Sequence, residues 1–158
     1  LPDGSRLGAV DVMQELWTGK PPADRVPVIE PIVLETDRPA PGQTIRATVK
    51  ATDPEGKLLT AEWMMTEEVA QYGVGGDAEA APATVEGAIL ESGVSGAVVK
   101  MPDHANRYRL YVTVRDPSGG AATANALIYI PGDAGASERP LAPKAKLPFV
   151  LFGEGQEG

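Results

Sequence analysis

The sequence predicts an all-β domain, an antiparallel sandwich of about seven short strands. Three observations lead there. Between residues 28 and 131 the apolar positions repeat with a period of two, not 3.6. Turn signals fall at short intervals, among them two Asp-Pro corners, Asp53-Pro54-Glu55-Gly56 and Asp116-Pro117-Ser118-Gly119. Gly and Pro together supply 33 of the 158 residues (18 plus 15), enough to turn a chain often without making it low in complexity.

The elements follow in order. Residues 6–18, RLGAVDVMQELWT, have helical spacing, with Val10, Met13, Leu16 and Trp17 on one face. Gly19 and Pro21-Pro22 stop that helix. Its apolar stripe requires a partner, either this domain or a domain preceding it, and both placements stay open. Residues 20–27, KPPADRVP, have the composition of a semi-rigid linker. Val28 to Leu34 reads as an edge strand interrupted by Pro31. TIRATVKAT, residues 44–52, alternates cleanly, and so does LLTAEWMMT, which puts Leu59, Ala61, Trp63 and Met65 on one side. Residues 67–93 lose the pattern and are expected as a long excursion.

Val94 to Met101 returns as a strand. RYRLYVTVRD carries the strongest alternation in the chain, with Tyr108, Leu110, Val112 and Val114 on one face. AATANALIYI closes the set before Pro131. Trp63 in mid-strand and Tyr108 near the start of a late strand fit the buried Trp and the tyrosine corner of such sandwiches. Residues 132–146 are again linker-like, and LPFVLF within 147–158 reads as a strand, the first of a following domain or an edge strand added back here.

Bulk composition excludes several functions. At a net charge of −8 the chain repels phosphate backbones and anionic lipid, so neither nucleic acid nor a membrane is expected as partner. Without Cys there is no disulfide, thiol nucleophile or thiolate metal site. No apolar run approaches the ~20 residues of a membrane span. No signal peptide is evident, and a start at Leu1 is read as a mature product or an excised piece of something longer.

Asp53-Pro54-Glu55-Gly56, then Leu59 to Trp63, then Asn106 to Asp116, then Gly119 to Ala124 stand in the order found in immunoglobulin-like modules of the polycystic-kidney-disease (PKD-like) type, which the chain resembles. In those modules a DPDG-type turn precedes a strand ending in Trp, and a Gly-x-Tyr-x-x-x-Val-x-Val-x-Asp strand follows. This chain departs in having Asn106-Arg107 where Gly is common, and in its long stretch after the Trp strand. That stretch, with Gly75-Gly76-Asp77-Ala78-Glu79, Pro82 and Val85 to Ile89, is similar to a module behind the catalytic barrel of some secreted bacterial glycoside hydrolases. The flanks agree: residues 6–22 look like a final barrel helix running into a linker, and 147–158 like the start of a further β-sandwich. The resemblance covers most of 28–131. It implies a non-catalytic spacer, outside the cytoplasm or in the periplasm of a bacterium, whose partners are the flanking catalytic and binding domains of one polypeptide.

Candidate chemistry is sparse. His104 is the single His and lies in a turn without a flagged nucleophile. GVGGD does not follow a strand and open a helix, so it is no phosphate loop. Glu67-Glu68 and Asp77-Glu79 are adjacent loop acids, not a pair placed across a cleft. Asp53, Glu55 and Asp116, with Asp37, are turn carboxylates of the kind Ca²⁺ takes as ligands, which makes calcium the one candidate cofactor. The alternative is a pair of corners whose Asp side chains accept backbone N–H groups. Alternation also places Arg109 and Tyr111 on the side of their strand away from the core. Glu62, Asn125 and Tyr129 join them if the neighbouring strands pair alongside. That would form a flat platform for polysaccharide. The expected function is therefore an accessory module of a secreted glycoside hydrolase. The alternatives are a dedicated carbohydrate-binding module and a calcium-stabilised adhesion or protein-interaction module.

Overall fold

The computed structural model describes residues 1–68 and 82–132. Tyr72, the acids Asp77 and Glu79, the Gly75-Gly76 stretch, the second linker beyond residue 132 and the strand expected at 147–158 lie outside the described residues. Among the described residues one helix, α1 (Gly8–Thr18), precedes nine strands: β1 (Val28–Ile29), β2 (Val33–Leu34), β3 (Thr44–Thr48), β4 (Ala51–Thr52), β5 (Thr60–Glu67), β6 (Ile89–Gly93), β7 (Gly96–Lys100), β8 (Asn106–Arg115) and β9 (Ala121–Ile130). They form a four-stranded sheet, β2-β3-β7-β6, a three-stranded sheet, β5-β8-β9, and a short β1-β4 ribbon. Every pairing between these nine strands is antiparallel. This is an immunoglobulin-like antiparallel β-sandwich.

The core lies between the two larger sheets because each strand turns one face inward. Ile45, Ala47, Ala97 and Val99 come from one sheet; Trp63, Met65, Leu110, Val112, Val114, Ile128 and Ile130 come from the other. Trp63 is buried and its indole N–H donates to the Gly93 carbonyl at 3.0 Å, tying the sheets together. The fully buried Tyr108 sends its hydroxyl to the His104 carbonyl, four residues upstream, at 3.3 Å, and to His104 Nε2 at 2.8 Å. That is the expected tyrosine corner. Desolvation, with the Glu67 charge second, pushes the Tyr108 phenol up to about 12.

Three elements differ from expectation. Val28 to Leu34 is two strands: Pro31 has no N–H to give a ladder, so the chain leaves β4 and joins β3 across it. TIRATVKAT also splits. Val49 N–H donates to the Ser95 carbonyl while the Lys50 carbonyl accepts from Glu30, so the chain changes neighbours there. The excursion is shorter than its lost pattern suggests. Thr84 bridges Thr66, Val85 N–H donates to Met65, and β6 returns to make a tight hairpin with β7 through Val94-Ser95. From Leu90 on, β6 is exposed along its whole length, so no alternation marks it.

Candidate functional site: the turn end and the outer sheet face

The two Asp-Pro turns lie at one end of the sandwich, joined by Lys57. Each Asp first organises its own turn. Asp53 Oδ1 accepts the N–H groups of Glu55 and Lys57 at 3.0 and 2.9 Å. Asp116 Oδ1 accepts those of Ser118 and Gly120 at 2.6 and 3.0 Å. The Lys57 ammonium then crosses between them. It bonds to Ser118 Oγ at 3.0 Å and pairs with the Asp24 carboxylate. The Asp24 hydrogen bond, followed by the charges of Asp116 and Asp53, raises the Lys57 pKa, while the Lys57 bond lowers that of Asp24. The second oxygens of Asp53 and Asp116 are buried without a hydrogen bond, so the local field calls for a cation.

Calcium fits this arrangement poorly. It requires six to eight oxygens. Glu55 is taken by Arg25 at 3.2 Å, and Asp37 sits elsewhere, its carbonyl accepting from Tyr129 at the far end of β9. Among the described residues no three His, Cys, Asp or Glu side chains form a metal-ligating group. Lys57 supplies the positive charge instead. Sequence reasoning missed it because its partner Asp24 lies 33 residues away.

The N-terminal arm is fastened to the same end. Arg6 bridges Gly120 in parallel register, its N–H donating to Gly119 and its carbonyl accepting from Ala121, both at 2.8 Å. A side chain at position 120 would run into the Asp116 carboxylate and stand 3.2 Å from the Val26 Cα, so the close approach of arm and turn requires Gly. The Arg6 guanidinium lies 3.2 Å from Asp11 and donates to the Asp24 carbonyl at 2.6 Å. Asp11 Oδ2 accepts the Val26 N–H at 2.8 Å. Asp3 pairs with Arg115 at 2.9 Å; the Ser5 N–H first, and Arg115 after it, hold the Asp3 carboxyl at about 2. The stretch expected as a linker is thus packed, with Pro22, Val26 and Pro27 buried.

α1 docks in the reverse of the usual sense. Asp11 is its one buried residue. Val10, Val12, Met13, Leu16 and Trp17 face outward, Leu16 at 76% and Trp17 at 78% exposure.

The predicted sheet-face residues do share one face. Met64, Tyr111 and Asn125 stand in one cross-strand row; Glu62 pairs with Thr113 in the next. Arg109 sits beside Leu127 and Tyr129 beside Arg107. The polar members are engaged with one another. Arg109 makes two 2.7 Å bonds to Glu68 and one of 2.9 Å to Asn125. That bidentate pair lowers the Glu68 pKa. Glu62 bonds to Arg115 at 3.0 Å, and the Arg38 guanidinium lies 5.6 Å from the centre of the Tyr129 ring. Tyr111 is left half-buried in mid-face. His104 lies apart from this face, on the Tyr108 hydroxyl and 3.2 Å from Glu67.

No protein-family model matches the chain, and no curated protein matches it. Among solved structures, a PKD domain of an M14-like peptidase from a Thermoplasmatales archaeon is similar at 18% identity and a TM-score of 0.43, over 70% of this chain and 100% of that one. The strand order and the Trp63 and Tyr108 contacts establish the sandwich on their own.

Proposed function

We propose that this chain is a non-catalytic accessory module of a secreted bacterial glycoside hydrolase, holding neighbouring domains of one polypeptide in fixed relation outside the cytoplasm. The observation that carries this is the fastening of the N-terminal arm. A loose tether needs no partners, whereas Arg6, Asp11, Asp24 and Lys57 tie arm and sandwich together through several backbone and charged contacts. The glycoside hydrolase setting is supported by the sequence resemblance of residues 75–89 and of the flanks 6–22 and 147–158.

The chain has no Cys, so two nitroxide labels can be placed cleanly, at Gln14→Cys on α1 and Lys100→Cys on β7. Electron–electron double resonance should give one narrow distance distribution. A broad one would mean a flexible tether and would sink the spacer reading.

A second reading, contact with polysaccharide, is favoured by Tyr111 lying in mid-face beside Asn125 and Arg109. Electrophoresis through gels carrying different polysaccharides should then show retardation in one of them, abolished by Tyr111→Ala. Unretarded migration in all of them would remove it.

A further inference from the structure

We infer that the outer face of the β2-β3-β7-β6 sheet carries a site for one unit of a neutral polysaccharide, held between Arg46 and Glu91. This face and that of Tyr111 lie on opposite sides of the sandwich, with the core between them. The site is therefore separate from the Tyr111 contact and shares with it only the class of ligand. Its register makes a hollow. β7 lies between β3 and β6. One cross-strand row runs Arg46, Val98, Glu91, and the next runs Thr48, Gly96, Gly93. Residues directly opposite share a face, so two of the three strands bring no side chain to the second row. The result is an open hollow of about 320 Å³ with Arg46 on one side and Glu91 on the other, lined also by Thr48, Ser92 and Ser95. The two glycines have different causes. A Cβ at position 96 would stand 2.5 Å from the Ala47 carbonyl, so the close approach of β3 requires Gly. A Cβ at position 93 would meet nothing within 4 Å, and Gly93 has no positive φ. Neither packing nor backbone requires Gly93; what its missing side chain leaves is the hollow.

Charge selects the ligand. Among the described residues the Arg46 guanidinium and the Glu91 carboxylate have no ion pair or hydrogen bond, whereas Arg109 and Arg115 on the other sheet are both paired. A donor group thus faces an acceptor group, and the two charges cancel. Anions are repelled by a chain of net charge −8. A zwitterion would gain little, since ion pairs in open solvent are weak. Sugar hydroxyls both donate and accept, so they suit a guanidinium on one side, a carboxylate on the other and Ser and Thr hydroxyls nearby. The size agrees. Neighbouring strands stand about 4.8 Å apart, which puts the Arg46 and Glu91 backbones about 10 Å from each other. A hexose spans about 5 Å from O1 to O4, and a hydrogen bond of about 2.8 Å at each end brings the span to about 11 Å. An open hollow also lets a chain of such units continue past both ends.

NMR titration of the isotope-labelled chain with cello-, manno-, xylo- and laminari-oligosaccharides tests the site. One of them, at millimolar concentration, should shift the amides of Thr48, Glu91, Gly93 and Val98. Gly93→Val should fill the hollow and abolish binding there. It should keep the melting temperature of the parent chain, because the added side chain has open space and the backbone suits it. Arg46→Gln and Glu91→Gln, both exposed, should each weaken binding several-fold, and they carry the test should Gly93→Val fail to fold. Tyr111→Ala should leave this binding unchanged. No shift on these strands with any of the four sugars would overturn the inference, and so would shifts that persist in folded Gly93→Val. Diglycine moving these amides where the sugars do not would make the ligand a zwitterion and refute the sugar. Shifts confined to the opposite face and lost in Tyr111→Ala would keep the Tyr111 contact and remove this site.

Discussion

Replacing Asp11 by Ala tests how the N-terminal arm is held. Asp11 is 9% exposed and its Oδ2 takes the buried Val26 N–H at 2.8 Å. A hydrogen bond to a charged group contributes about 1.5–3 kcal/mol, and a buried donor left without a partner costs a similar amount. The Arg6 contact, 3.2 Å long with the Arg 28% exposed, adds less than about 1 kcal/mol in partial solvent. The arm should therefore open at least about 10- to 150-fold more often in Asp11→Ala, since each 1.4 kcal/mol is a factor of ten. Amide hydrogen exchange reads this directly at Val26, and at Ala121, whose N–H donates to Arg6. Core amides such as those of Val112 and Ile128 should change far less, because the arm detaches without unfolding the sandwich. Asp11→Asn keeps an acceptor for Val26 and should lose only about half as much protection in energy, as a neutral bond is roughly half as strong. If Val26 exchanges in Asp11→Ala within twofold of the parent chain, the arm is not held by this carboxylate.

Tyr108→Phe should lower stability in urea by about 1 kcal/mol through the lost corner bond. In a spectrophotometric titration Tyr108 should ionise near 12. Its raised pKa means the phenol's contribution to stability is complete below pH 10 and disappears as pH rises through about 12. Glu68, held low by Arg109, contributes stability that is present above its ordinary value of 4.5 and lost as pH falls through the lowered one; Arg109→Met should bring its NMR-monitored titration back up toward 4.5. Millimolar calcium should leave the melting temperature unchanged, because a ligand stabilises only where it binds the folded state; a rise of several degrees would show that the Asp-Pro turns hold the ion despite Lys57.

The strands that could be read from sequence are those with one dry face. β8 alternates because Tyr108, Leu110, Val112 and Val114 are fully buried while their neighbours reach solvent. β5 and β3 follow the same logic around Trp63 and Ile45. β6 has no such contrast and was invisible, although Gly93 and Gly96 flank its turn. The rows of the outer sheet face were also legible, since a period of two and an antiparallel register place Glu62, Arg109, Tyr111, Asn125 and Tyr129 together. Their bonds to one another were not, because Glu68 and Arg109 meet across 41 residues of sequence. The helix is the sharpest case. Periodicity finds an apolar arc on α1, but only the tertiary contacts of Asp11 decide which side faces the domain.

Lys57 explains why two acidic corners can stand so close. Two turn carboxylates brought to one end raise the energy of the fold unless a cation sits between them. A metal ion would serve, but its presence depends on its concentration outside the chain. A lysine carried on the turn itself is always at hand, and its four-carbon stem reaches Asp24 and Ser118 from Asp53's own corner. The same ammonium that offsets the turn charges also grips the arm through Asp24. Neutralising the corners and fixing α1 are therefore one event. An arm held this way needs no bound ion, and its weakness lies in salt: the Lys57 and Arg6 contacts are partly exposed and lose strength as the screening length falls below about 10 Å.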